Sequence, residues 1–208
     1  MEHNRQYRKP QGYGNRRPRP NFQQKPRRNP LPEGFSLYYM AIECPPAINE
    51  KVSSFKQWME QQYGCRAAAK SPAHITVVPP FRAEDEMTAS LKDFVDTFNM
   101  GMVPLEIGLS GYGQFADRVL FIDIAPNPEL AVLEKEAMAE FAAQFPGIIF
   151  GMKPEFNPHV TIATRDIPAG KLEEARKYFE QNHPYTASFE ATGLSLYRLE
   201  NGWWKKVD

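Results

Sequence analysis

The chain has 208 residues, 42% of them apolar and 24% charged, a balance that suits one mid-sized water-soluble domain or two small lobes around a shared core. No apolar run approaches the roughly 18 residues of a membrane span, and the Met-Glu-His-Asn-Arg opening has no apolar stretch behind it, so neither a membrane segment nor a secretory signal is expected. Cys44 and Cys65 are the only cysteines, too few for a disulfide framework or a four-ligand zinc site; the expectation is a cytoplasmic monomer without metal or cofactor.

The formal net charge of zero conceals two regions of opposite character. Residues 1–34 hold nine Lys/Arg against two Asp/Glu, with six prolines, and the remaining 174 residues hold 16 basic and 23 acidic groups. The first segment has too little apolar surface to offset its ordering entropy and reads as a disordered basic tail outside the folded domain of residues 35–208. Tyr7, Tyr13 and Phe22 would let it stack on nucleic-acid bases; a plain solubilising tail fits the composition equally well.

From Phe35 the chain alternates strand and helix patterns. Phe35–Ile42 reads as a strand, and Ala47–Tyr63 as a helix with Ile48, Val52, Phe55 and Met59 at helical spacing. His74–Val78 is a strand closed by Pro79-Pro80, Glu84–Phe98 a helix and Leu105–Tyr112 a strand. The order then repeats: strand Arg118–Ile124, helix Pro128–Phe145, strand His159–Thr164, helix Ala169–Asn182. One or two strands follow over Tyr185–Leu199, and a turn at Asn201-Gly202 leads into Trp203–Val207.

An internal duplication underlies this order. His74-x-Thr76 recurs 85 residues later as His159-x-Thr161, and Gly108-Leu109-Ser110-x-Tyr112 recurs at the same offset as Gly193-Leu194-Ser195-x-Tyr197. The repeats span roughly 35–114 and 118–207. With only four histidines and seven threonines in the chain, two such triplets in register are not a chance pairing.

On a strand, His74 and Thr76 share one face and Ile75 and Val77 the other, and the second copy behaves alike. Cleaving a phosphodiester needs a base on the attacking oxygen and an acid on the leaving one, roles that two histidines can fill near neutrality. Two threonine hydroxyls can donate to the non-bridging oxygens. Nothing in that logic requires a metal.

Pro72-Ala73-His74-Ile75-Thr76-Val77-Val78-Pro79-Pro80-Phe81 and Asn157-Pro158-His159-Val160-Thr161-Ile162-Ala163-Thr164 resemble the two signature strands of the two-histidine (2H) phosphoesterase superfamily. Within it they are most similar to bacterial RNA 2′,3′-cyclic phosphodiesterases, also called 2′–5′ RNA ligases. The resemblance covers residues 35–207. It implies a duplicated bilobal α+β fold, two antiparallel sheets forming a central cleft with helices outside, and metal-independent attack at a 2′,3′-cyclic phosphate or a 2′–5′ linkage. It also implies that His74 and His159 are the acid/base pair and Thr76 and Thr161 the phosphate binders. His159 is taken as the base and His74 as the acid, an order that can reverse with substrate or direction.

One departure stands out. Several RNA-processing members carry His-x-Thr-x-x-Arg, whereas here Thr164 holds that place and Arg165 comes one later. One step along a strand points to the opposite face, so Arg165 reaches a phosphate only where the strand ends or bulges. Phe81, Tyr39, Tyr112 and Tyr197 are further substrate-stacking candidates, each more often a core residue in such strands. Lys153 and Arg198 are candidate cleft cations, although solvated surface is the commoner place for them. The leading expectation is an enzyme opening 2′,3′-cyclic phosphate ends of RNA or nucleotides. The alternatives are a non-catalytic RNA- or nucleotide-binding module and a phosphodiesterase acting on a small non-RNA cyclic phosphate.

Overall fold

Alternating burial along the strands sets the architecture. In the computed structural model, which describes residues 31–150 and 155–208, the chain runs β1 (Phe35–Glu43), α1 (Pro46–Tyr63), β2 (His74–Glu84), α2 (Thr88–Gly101), β3 (Leu105–Phe115) and β4 (Val119–Ile124). It continues with α3 (Pro128–Gln144), β5 (His159–Thr164), α4 (Leu172–Asn182), β6 (Thr186–Ala191), β7 (Ser195–Glu200) and β8 (Trp203–Lys206). Tyr7, Tyr13, Phe22 and the rest of residues 1–30 lie outside the described residues, as does Lys153. Among the described residues, no helix is long and apolar enough to cross a membrane.

Local chemistry explains the helix ends. Pro46 opens α1 and Pro128 opens α3, where a missing N–H costs nothing. The Asn127 side chain caps α3 by accepting from the Leu130 N–H. Gly64 ends α1 in the left-handed conformation, φ 72°, with its N–H on the Glu60 carbonyl.

Several boundaries differ from the sequence reading, and two of them have a clear local cause. β2 does not stop at Pro79-Pro80 but runs to Glu84. The β1 register passes from Tyr38 opposite Phe81 to Met40 opposite Val78, so the two prolines sit in a bulge opposite Tyr39, where no ladder N–H is needed. α2 starts at Thr88 rather than Glu84, because Asp85–Met87 form a single 3₁₀ turn whose Asp85 carbonyl accepts from the Thr88 hydroxyl.

The strands form one eight-stranded antiparallel sheet in the order β6-β3-β4-β5-β2-β1-β7-β8, not the two sheets expected. The pair Ile75–Val160 joins β2 to β5 and makes the sheet continuous. The third strand of each repeat also crosses over: β3 pairs with β4, and β7 with β1. Helices follow the same exchange, since α1 packs on β5, α2 on β7, α3 on β2 and α4 on β3. Each repeat therefore buries its apolar surface on the other, and residues 32–208 form one compact unit.

The helices cover one face. Ile75, Val77, Val160 and Ile162 point into this main core with Phe55, Leu91, Phe141 and Phe179, each such side chain contributing about 1.5–3 kcal/mol on burial. The opposite face carries a small separate cluster, Tyr39, Ala41 and Tyr197, with Trp204 packed on it. That face receives the polar residues of the signature strands.

Candidate active site

His74 and His159 are the first residues of β2 and β5, at the single bridge between the sheet halves. Directly opposite residues of an antiparallel pair share a face. Extending the Ile75–Val160 register by one residue each way sets His74 across from Thr161 and Thr76 across from His159. The two His-x-Thr triplets thus make a rectangle of four polar side chains on the helix-free face.

Both imidazoles are held alike. His74 Nδ1 lies 2.8 Å from the Pro72 carbonyl, and His159 Nδ1 lies 2.8 Å from the Asn157 carbonyl. A carbonyl oxygen only accepts, so Nδ1 carries the hydrogen in each ring and Nε2 is left to exchange protons with a substrate. His74 stacks on Tyr39 with ring centroids 4.8 Å apart. His159 lies against Phe115 and Phe121, each at 4.9 Å.

The surroundings of the two differ. Tyr39 Oη meets Ser71 Oγ at 3.0 Å, and Ser71 Oγ lies 3.0 Å from His74 Nδ1. Burial keeps the Tyr39 hydroxyl protonated well above its usual range, so it can donate to Ser71. Lys56, only 6% exposed, gives a hydrogen bond to the Ser71 carbonyl at 2.8 Å, and desolvation pulls its pKa down to about 8. Desolvation also pulls His74 down to about 4, opposed by the Pro72 carbonyl and reinforced by the positive charges of Lys56 and His159. His159 is lowered by desolvation too, opposed by the Asn157 carbonyl and by the Asp123 carboxylate.

Two cavities meet at Thr76. The smaller, about 140 Å³, is lined by His74, Thr161, Arg165, Lys56, Ser71 and Trp204. The larger, about 690 Å³, is lined by His159, Phe115, Val119, Phe156 and Pro79. A further cavity of about 690 Å³ between α2 and α3 carries Glu129, Glu136 and Glu140 but no histidine.

Arg165 does reach the site, for the reason its position demanded. β5 ends at Thr164, and Arg165 adopts φ 67°, a left-handed turn that costs a non-glycine residue about 1–2 kcal/mol. Its N–H bonds the Arg118 carbonyl at 3.1 Å. The next residue fixes the turn: the Asp166 carboxylate accepts from the Arg66 and Ala67 N–H groups at 2.7 and 2.8 Å. The loop bearing Ser71 and the turn bearing Arg165 are thereby tied together.

The aromatic candidates divide. Tyr39 lines the smaller cavity and backs His74. Tyr197 is 1% exposed and lies behind it, stacked on Tyr39 at 4.9 Å, so it supports the site without lining either cavity. Phe81 belongs to the helix-side core, 4.9 Å from Phe141. Tyr112 is also on that side, giving its hydroxyl to the His183 carbonyl. Arg198 pairs with Asp85 at 2.9 Å and lies over Tyr38, away from the cleft.

Lys56, Ser71, Phe115, Phe121, Asp166 and Trp204 were not singled out from sequence. Lys56 alone left a signal there: it stands four residues after Val52 and three before Met59, on the apolar stripe of α1. Phe121 also meets a tight neighbour. A Cβ added to Gly113 would come within 2.3 Å of the Phe121 ring. Gly113→Ala is expected to cost about 1–3 kcal/mol of stability by overpacking and to loosen the ring under His159; an unchanged denaturation midpoint would refute this.

Residues 44–203 match the model of the 2'-5' RNA ligase superfamily. A Geobacillus kaustophilus protein named "Putative phosphoesterase GK0864" is 26% identical over 172 residues, covering 80% of this chain and 91% of that one. Among solved structures, Escherichia coli LigT complexed with 3'-AMP has TM-score 0.58 at 18% identity, covering 83% of this chain and 94% of that one. TT0787 of Thermus thermophilus has TM-score 0.55 at 16% identity, covering 83% and 95%. The two structures share the α+β fold. The family match extends over well more than half of the sequence, and the chain belongs to the 2′-5′ RNA ligase superfamily.

Proposed function

We propose that the protein is a phosphodiesterase that opens 2′,3′-cyclic phosphate ends of RNA or nucleotides, leaving a 2′-phosphate, by acid/base catalysis from His74 and His159 without a metal. The observation that carries this reading is the β2–β5 register, which sets two imidazoles with free Nε2 atoms diagonally across one rectangle and two threonine hydroxyls on the other diagonal. A tetrahedral phosphate centred there has an acid/base group on either side and hydroxyl donors for its non-bridging oxygens. Arg165 and Lys56 add positive charge at the smaller cavity, a suitable counter to an anionic diester. The phosphoesterase name of the Geobacillus relative and the 3'-AMP complexed with E. coli LigT point the same way.

The test is direct. Purified protein with excess EDTA should convert a 2′,3′-cyclic nucleotide into the nucleoside 2′-phosphate. No turnover of several cyclic substrates across about pH 5 to 8 would sink the reading, and tight binding without turnover would favour the binding-module alternative.

A further inference from the structure

The helix-covered face, opposite the one that receives His74 and His159, holds a groove that the proposed chemistry does not use. It is the cavity of about 690 Å³ between α2 and α3, walled by the C-terminal turn of α2, by α3 and by the Val103-Pro104 link into β3. We infer that this groove docks a partner protein through a basic amphipathic helix, one whose apolar stripe is flanked by lysine or arginine. The inference stands apart from the phosphodiesterase reading.

Apolar surface supplies the first argument. Phe98, Met102 and Leu105 are half-buried at the edge of the main core, and with Leu133, 8% exposed, they form the floor of the groove. Val103 and Val132 line it at 79% and 52% exposure, and Met100, the neighbour of Gly101 in its wall, is 82% exposed. Three of the five exposed large hydrophobics among the described residues thus gather here. Apolar surface concentrated in this way and rimmed by polar residues marks an interaction site, and unbranched methionines adapt readily to a partner's side chains.

Charge supplies the second argument and names the occupant. Glu129, Glu136 and Glu140 line the groove from α3, and no lysine or arginine does. All three are exposed, and none forms an ion pair with another described residue. Their spacing of seven and four residues keeps them on one side of α3 with Val132 and Leu133 between them. The facing end of α2 adds to the negative potential, because its C-terminal carbonyls carry partial negative charge and its last turn has no basic residue. Along α3 the three carboxylates span about 16 Å, three turns of a helix laid in the groove with its apolar stripe inward.

The same charge argues against other occupants. RNA phosphates and an anionic membrane surface would be repelled. A two-fold dimer through this patch would set carboxylate against carboxylate. Residues 1–30 of this chain are basic but contain no Ala, Val, Leu or Ile, so they lack the apolar stripe.

The probe is a fluorescent synthetic Leu/Lys helix of about five turns, with leucine at helical spacing and lysine elsewhere, titrated with the full chain at about 0.15 M salt. Saturable binding is expected, and a Leu/Glu helix of the same pattern should not bind. Glu129→Gln/Glu136→Gln/Glu140→Gln should weaken binding by at least about fivefold, and Val132→Asp by about tenfold. Glu50→Gln/Asp93→Asn/Glu200→Gln removes equal charge elsewhere and should change affinity less than about twofold. The glutamine variants alter only exposed side chains, so their unfolding midpoint should match wild type and they test the groove even if Val132→Asp fails to fold. No saturable binding up to about 100 µM, or equal losses in the two triple variants, overturns the proposal. A tenfold rise in affinity on removing residues 1–30 would make those residues the occupant, and self-association abolished by the groove variants would make it a second copy; either overturns it too. No readout uses turnover, so failure here leaves the phosphodiesterase reading untouched.

Discussion

Alanine in place of either His74 or His159 is expected to lower kcat for a 2′,3′-cyclic nucleotide by about 10²–10⁴-fold, the usual contribution of one positioned acid or base. The two losses should not multiply. With one proton-transfer partner gone the other has nothing to complete, so the double variant should sit within about tenfold of the worse single variant, as in other groups that act as a unit. KM should move little, since Thr76, Thr161 and Arg165 remain to hold the phosphate. The fold should persist, because both imidazoles project from the helix-free face and the main core beneath them consists of Ile75, Val77, Val160 and Ile162. His74→Ala removes a ring stacked on Tyr39 and should cost about 0.5–1.5 kcal/mol of stability. Steady-state kinetics with denaturant titrations check both parts. A single variant that keeps more than a tenth of wild-type kcat would remove that histidine from the chemistry.

How far the sequence foretold this site depends on what carried each residue. His-x-Thr was legible because strand alternation is local: His74 and Thr76 share a face whatever the strand pairs with, and the duplication repeats the pattern at His159 and Thr161. The pairing itself was not, since no residue in either triplet announces that Ile75 meets Val160; this bridge is what turned two expected sheets into one. Arg165 depended on where β5 ended, and alternation alone pointed it away. Bulges misled in the other direction. Between Leu109 and Tyr112 the β3 register shifts at Gly111, whose φ is 75°. The extra residue swings Tyr112 to the helix side and Phe115 to His159, the opposite of simple alternation. Ser71 acts through Tyr39, 32 residues away, and Asp166 through Arg66, 100 residues away, and such ties to loop residues leave no periodic trace.

The pH dependence of kcat/KM is the second large effect, and its sign follows from the directions of the two imidazole shifts. The reactive pair holds one proton; the doubly neutral and doubly protonated forms are inert. Both histidines lie below the usual value of about 6.5, His74 at about 4 and His159 also lowered, each chiefly by desolvation. kcat/KM reports the free enzyme, so its optimum should fall between about pH 4 and 6.5. Above that window it should drop by about tenfold per pH unit as the acid loses its proton. Bound substrate changes this. An anionic diester favours the imidazolium, so the alkaline limb of kcat should lie at higher pH than that of kcat/KM. Folding stability carries the same signature: His74 is neutral in the fold and titrates near 6.5 when unfolded, so its contribution is present above about 6.5 and is lost as pH falls toward about 4. Removing the buried positive charge with Lys56→Gln should raise the His74 pKa and move the acid limb of kcat/KM upward, narrowing the bell. A lysine there only for packing would leave both limbs in place. A kcat/KM that is flat or rising through pH 7–8, measured with a 2′,3′-cyclic nucleotide, would mean that the proton on the pair is not held as the burial and charge around His74 and His159 require.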